Sequence, residues 1–154
     1  MKKINELKIA ICSDHAGFAL KESLIEKLRS EVDKLKDFGC YTADACDYPD
    51  YAHPMALAIE QREFDFGIAI CGTGNGITIT LNKHQGIRAA LCWKNEIAAL
   101  VRAHNDANVI VLPGRFVSQE DGYEMVKNFL TTDFEGGRHQ QRIDKIMLRD
   151  NALR

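Results

Sequence analysis

The 154-residue chain lacks the features that mark a membrane protein, a secreted disulfide scaffold or a nucleic-acid binder. No apolar run approaches the roughly 18 residues a spanning helix needs, and the opening MKKINELKIA leads directly into a strand pattern. Neither sign of charge dominates: 20 Lys and Arg against 22 Asp and Glu give a net charge of −2. Nucleic acid and anionic lipid would therefore find no basic surface to hold. The five cysteines, at 12, 40, 46, 71 and 92, are odd in number and form no CxxC pair. That excludes a disulfide framework and a four-cysteine zinc site and makes a reducing cytoplasm the expected setting. Most of these thiols are expected to be packing residues. No Pro- or Ser-rich linker, repeat or low-complexity segment divides the chain. It reads as one domain over residues 1–154, burying roughly 68–70% of its unfolded surface. Motifs are missing too. No Gly-Lys-Ser/Thr follows a glycine turn, no dinucleotide fingerprint follows the first strand, and no GxSxG elbow is present. The histidines have no metal-ligand spacing. No cofactor and no metal are expected, and a nucleotide-dependent oxidoreductase is disfavoured.

What is present alternates. Leu7 to Ser13 is a β-rich run suited to a parallel strand buried on both faces. Phe18 to Leu28 carries Leu20, Leu24, Ile25 and Leu28 at helical spacing. Val32 to Phe38 is a weaker strand, followed by a loop from Cys40 to Asp50. Pro49 is placed to open a second helix, with Met55 and Ile59 on its core face. Further strands are expected over 66–71, Ile87 to Trp93 and Asn108 to Leu112, with helices over Asn95 to Ala103 and Gln119 to Leu130. An Arg-rich helix closes the chain between Gly136 and Leu148. The pattern predicts an α/β fold: a parallel sheet with helices on both faces. Right-handed crossovers put all strand C-termini on one edge, where ligands bind in such sheets. Asp14 and His15, Cys71, and Arg115 all fall at that edge.

The stretch from Phe66 to Leu81 is the most informative. Ile68-Ala69-Ile70 ends in Cys71, and glycines follow at 72, 74 and 76. The glycines let the backbone turn and present its N–H groups to an oxyanion. The helix that can start after them favours a thiolate at its N-terminus. Cys71 is therefore read as the chemical centre, to which the rest of the chain brings a small anion. Asp14-His15 fits two readings: a helix cap beside a surface histidine, or a carboxylate and an imidazole facing a hydroxyl and an anionic oxygen. His104-Asn105 is either a helix-terminating pair, with Asn105 as the C-cap, or part of a site. Arg138 and Arg142 stand one helical turn apart and can grip one anion, as can a plain solvated helix face. His53 and His84 read as ordinary surface.

Taken together, SDHAGF (13–18), DYPDYA (47–52), CGTGNG (71–76), NKHQGIRAALC (82–92), AHNDANV (103–109), GR (114–115) and EGGRHQQRI (135–143) resemble the type B ribose-5-phosphate isomerase family. That family includes related isomerases of galactose and allose 6-phosphates. The similarity runs in order from Lys8 to about Ile146. It implies a Rossmann-like three-layer αβα fold with a five-stranded parallel sheet and a C-terminal helix. It also implies a homodimer or dimer of dimers with active sites built from both subunits. The implied activity is metal-free interconversion of D-ribose 5-phosphate and D-ribulose 5-phosphate in the pentose phosphate pathway. Carried over position by position, the resemblance assigns the base to Cys71 and the ring-opening acid to His104, with Asp14 and Thr73 in the catalytic set. Substrate contacts fall on Asp14, His15, Tyr48, Gly72, Thr73, Gly74, Asn75, Gly76, Asn105, Arg115, Arg138 and Arg142. Some members use a glutamate a few residues later as base. Position 75 is Asn here and Cys71 is present, so the cysteine branch applies. Asn75 and Pro113 stand where many members carry an apolar and a small residue, and Asn75 bears on sugar preference. Two alternatives stand beside this reading: an isomerase of an aldohexose 6-phosphate, allose or galactose, and a non-catalytic sugar-phosphate-binding regulator. A regulator would have no use for Cys71 and His104 together.

Overall fold

The structure, a computed structural model, describes residues 2–146. Residues 147 and 148 of the expected C-terminal helix lie outside the described residues. In chain order the elements are a 3-10 turn at Ile4–Glu6, β1 (Lys8–Ser13), α1 (Phe18–Leu28), β2 (Lys34–Asp37), α2 (Tyr48–Glu60) and β3 (Phe66–Cys71). There follow α3 (Asn75–Leu81), β4 (Ala89–Leu91), α4 (Asn95–Asn105), β5 (Val109–Pro113), α5 (Gln119–Thr131) and α6 (Arg138–Ile143). The strands form one five-stranded sheet in the order β2-β1-β3-β5-β4, and every pairing is parallel. The α/β, three-layer expectation holds.

Two cores follow from the alternation of side chains along buried strands. Ile9, Ile11, Ile68, Ile70, Ile110 and Leu112 face one core, with Leu24, Leu28, Met125 and Phe129 from α1 and α5. Ala10, Cys12, Ala69, Cys71, Val109 and Val111 face the other, with Ala52, Met55, Ile59 and Ile77 from α2 and α3. Small strand residues on this second face let α2 lie close. A Cβ added at Gly67 would sit 2.7 Å from the Cδ1 of Ile59. The chain passes outward from β1 to β2 and returns to β3 on the other side of β1. This reversal opens a crevice beyond the C-terminal ends of β1 and β3, the usual ligand position in open α/β sheets.

The helix expected after the glycine turn forms over residues 75–81, although Ile77-Thr78-Ile79-Thr80 is β-branched. Gly74 starts it at φ +78, and the Thr78 and Thr80 hydroxyls donate to the carbonyls of Gly74 and Gly76. The strand expected over Ile87 to Trp93 shortens to Ala89–Leu91, because the Arg88 N–H donates to the side chain of Asn108 instead of a strand neighbour. Helix α4 continues through Asn105, and Asp106, at φ 45, takes the C-cap position expected for Asn105.

Candidate active site

At the C-terminal edge of the sheet, the ends of β1, β3 and β5 are tied together. The Asp14 N–H donates to the Ile70 carbonyl at 3.1 Å, and the Gly114 N–H to the Cys71 carbonyl at 2.9 Å. The Arg115 N–H donates to the Gly72 carbonyl at 3.1 Å. The Asp14 carboxylate is buried and accepts from the Gly17 N–H at 3.0 Å. Asp14 therefore does cap the following turn, with one of its two oxygens. The Cys46 N–H donates to His15 Nδ1 at 3.2 Å. The same nitrogen lies 3.3 Å from the Cys46 carbonyl, so the backbone of Cys46 holds the ring in place.

Cys71 is the last residue of β3, 4% exposed, on the α2–α3 face of the sheet. The thiol sits at the bottom of the turn rather than on the surface. Gly74 needs its positive φ to redirect the chain into α3. Gly76 is needed for a different reason: a Cβ there would lie 2.6 Å from the Tyr48 hydroxyl. Tyr48, the first residue of α2, thus lies against the first turn of α3. The Arg115 guanidinium stands over Gly72, with NH1 3.5 Å from where a Cβ would be. Thr73 and Asn75 are exposed on the turn, where the Thr73 hydroxyl accepts from the Asn75 N–H at 3.3 Å. One edge of one chain thus gathers Asp14, His15, Tyr48, Cys71 through Gly76 and Arg115.

His104 and Asn105 are elsewhere. They end α4, and Asn108 immediately precedes β5, so they lie at the N-terminal edge of the sheet. Cys71 is level with Pro113 and Gly67 with Val109. The length of β5 alone therefore puts about 13 Å between the two edges, at roughly 3.3 Å per residue. The His104 ring stacks on His139 of α6, centroids 4.3 Å apart and planes 9° from parallel. Glu135 Oε2 lies 3.8 Å from His104 Nε2 and 3.5 Å from His139 Nε2. Burial, the nearby His104 and the Arg138 guanidinium together hold His139 below the ordinary imidazole pKa. Arg138 and Arg142 are exposed on α6 and so belong to the His104 edge. A cavity of about 570 Å³ at that edge is lined by Asn105, His84, Arg88 and Ala89, with no residue of the Cys71 turn.

The end of α4 is held firmly. Arg102 is 6% exposed, its guanidinium 4.7 Å from the Phe66 ring centroid and 5.7 Å from that of Phe129. It donates to the Asp106 carboxylate at 2.8 Å and to the Ala107 carbonyl at 2.7 Å.

Sequence reasoning missed Glu135 and His139. Nothing in their spacing links them to His104; only the return of α6 onto α4 does. It also took His53 and His84 for plain surface. They hydrogen-bond each other, His53 Nδ1 to His84 Nε2 at 2.8 Å, and His84 Nδ1 lies 3.2 Å from the Glu60 carboxylate.

Comparison with known proteins agrees over nearly the whole chain. The family described as Ribose/Galactose Isomerase matches residues 9–146. The ribose-5-phosphate isomerase B of Escherichia coli (strain K12) is 44% identical over 139 residues, covering 90% of this chain and 93% of the relative. The crystal structure of a ribose 5-phosphate isomerase from Thermotoga maritima superposes with a TM-score of 0.89 at 48% identity, covering 91% of this chain and 97% of that one. The ribose-5-phosphate isomerase B of Mycoplasma genitalium, solved with bound ribulose-5-phosphate, gives a TM-score of 0.85 at 44% identity, covering 90% and 93%.

Proposed function

The chain belongs to the ribose/galactose isomerase family, and from that premise we propose that it interconverts D-ribose 5-phosphate and D-ribulose 5-phosphate at a site completed by a second copy of itself. The observation that carries this is the placement of Cys71 at the end of β3, beneath a glycine turn and beside the Arg115 guanidinium. A relative with the same fold holds ribulose-5-phosphate. The two edges of one chain are too far apart for Cys71 and His104 to act on one five-carbon sugar, since a proton-transfer group must come within roughly 3 Å of its atom. In a homodimer, or a dimer of dimers, one copy supplies Asp14, His15, Tyr48, Cys71 to Gly76 and Arg115. The other supplies His104, Asn105, Arg138 and Arg142. Leu57 on α2 and Ile79 on α3 are 49% and 63% exposed, apolar surface that suits coverage by another copy.

His104 donates to the ring oxygen and opens the furanose, while Asp14 accepts from the sugar hydroxyl. The Cys71 thiolate removes the proton on C2, leaving a cis-enediolate. N–H groups of the turn from Gly72 to Gly76 hold the developing oxyanion, an effect worth ~2.7–4 kcal/mol per donor in other enzymes. Cys71 then returns the proton to C1. The arginines and His15 hold the phosphate, so binding energy comes from a part of the substrate that does not react. The expected setting is the cytoplasm and the pentose phosphate pathway.

The family description also covers galactose, so an aldohexose 6-phosphate is the second reading. Turnover of ribose 5-phosphate, allose 6-phosphate and galactose 6-phosphate, measured side by side with and without EDTA, decides between them. Ribose 5-phosphate is expected to have the highest kcat/KM, unchanged by EDTA. Cys71→Ala is expected to abolish turnover while the sugar phosphate still binds, and near-normal activity in that variant would remove the base from Cys71.

A further inference from the structure

The His104 edge holds a nitrogen that the isomerase chemistry leaves unused. His139 is 7% exposed, and its Nε2 is buried with no hydrogen-bond partner, a costly state for a buried polar atom. It faces Glu135 Oε2 at 3.5 Å, with His104 Nε2 3.8 Å from the same oxygen. One donor atom from each of the three residues falls within 4.8 Å of the others. We propose that His104, Glu135 and His139 bind a divalent transition-metal ion, zinc being the best fit, and that loading the site switches the enzyme off. The second half rests on the isomerase reading, because the ion would bind the imidazole assigned to ring opening.

Two imidazoles and a carboxylate are a donor set that zinc accepts, with bonds of about 2.0–2.2 Å. Tetrahedral geometry at that length separates ligand atoms by about 3.4 Å, close to the spacing from Glu135 to either histidine. The stacked rings need only tilt toward the carboxylate for their lone pairs to converge. Arg138 and Arg142 on the same helix repel a cation, which makes this a reversible inhibitory site rather than a permanent one. Glu135 is exposed, so the fourth position opens to solvent.

The test is calorimetric titration of zinc chloride into the intact protein, paired with the visible spectrum of Co2+ at the same site. One ion per chain is expected, with d–d bands and no thiolate charge-transfer band. Glu135→Gln, an isosteric change at an exposed position, is expected to weaken binding at least about tenfold. His139→Ala, with its fold checked by circular dichroism, is expected to do the same, and Cys71→Ser to leave binding intact. Binding that survives both ligand variants, or that vanishes in Cys71→Ser, overturns the site. In the turnover assay, zinc is expected to inhibit at the midpoint of the binding curve, and Glu135→Gln to shift both together. Zinc that binds without slowing turnover overturns the switch, while the calorimetric arm reads the site whether or not ribose 5-phosphate is the substrate.

Discussion

Replace Cys71 by Ala in one batch of protein and His104 by Ala in another, and each pure variant loses one half of every shared site. General acid–base groups contribute typically 10²–10⁴-fold, so each batch alone is expected to retain about 1% of wild-type turnover or less. Mixed in equal amounts, unfolded and refolded together, half of the dimers are hybrids. A hybrid has one site carrying both lesions and one carrying neither. The mixture is therefore expected to recover about a quarter of the wild-type activity, and the same fraction holds for a dimer of such dimers. The basis is the strand length: β5 runs from Val109 to Pro113, Cys71 is level with its far end, and His104 lies before its start. Initial rates of ribulose 5-phosphate formation, taken before and after refolding the mixture, read the outcome. Activity equal to the sum of the two parents would mean that both groups serve one chain's own site, and the reasoning from the sheet edges would fail.

Arg142→Ala is expected to raise KM for the sugar phosphate with kcat nearly unchanged; a collapsed kcat at constant KM would take the residue out of phosphate binding. Asp37 accepts from the fully buried Lys21 ammonium, so Asp37→Ala leaves that charge paired with the half-exposed Glu22 and the faces of Phe18 and Tyr41. A loss of about 3 kcal/mol is expected in urea unfolding, with partial recovery when Lys21→Met is added; equal instability of single and double variants would show that the charge is not the cause. Desolvation works against ionisation of Glu31, but the Lys127 ammonium and the Tyr123 hydroxyl outweigh it and hold its carboxyl below the ordinary range. Its contribution is thus full above the unfolded carboxylate pKa and is lost as pH falls through the lower folded value. The pair is partly exposed, so the effect is at most about 1 kcal/mol. Glu31→Gln should flatten that part of the acid-unfolding curve, and an unchanged curve would refute the assignment.

The alternation of apolar runs with helical spacing made the sheet and its C-terminal edge legible, because buried parallel strands carry their signal in local composition. The helix at residues 75–81 was legible from the glycine turn before it, although Ile77 to Thr80 is β-branched, and Gly74 with two threonine hydroxyls secures it. The ends of β4 depended on a side-chain acceptor, Asn108, about twenty residues away, which no window of sequence contains. The half of the candidate site around Cys71 was readable because all of its residues but Tyr48, the first residue of α2, follow closely on a strand. The grouping of Glu135 and His139 with His104 was not, because it arises from two helices that meet only after folding. Lys21 stands three, four and seven residues before Leu24, Ile25 and Leu28, so its spacing puts it on the apolar face of α1; what the sequence did not show is the approach of Asp37 from β2, which makes a buried ammonium tolerable there.

Arg102 has a consequence for the end of α4. Helix termini ordinarily fray, and a side chain on a frayed end samples many directions. By clamping Asp106 and Ala107 while wedged between Phe66 and Phe129, it stiffens the last turn of α4 within a single chain. In the proposed dimer, the His104 side chain would thereby be pre-aligned before the other copy arrives, so docking need not also freeze a floppy helix end.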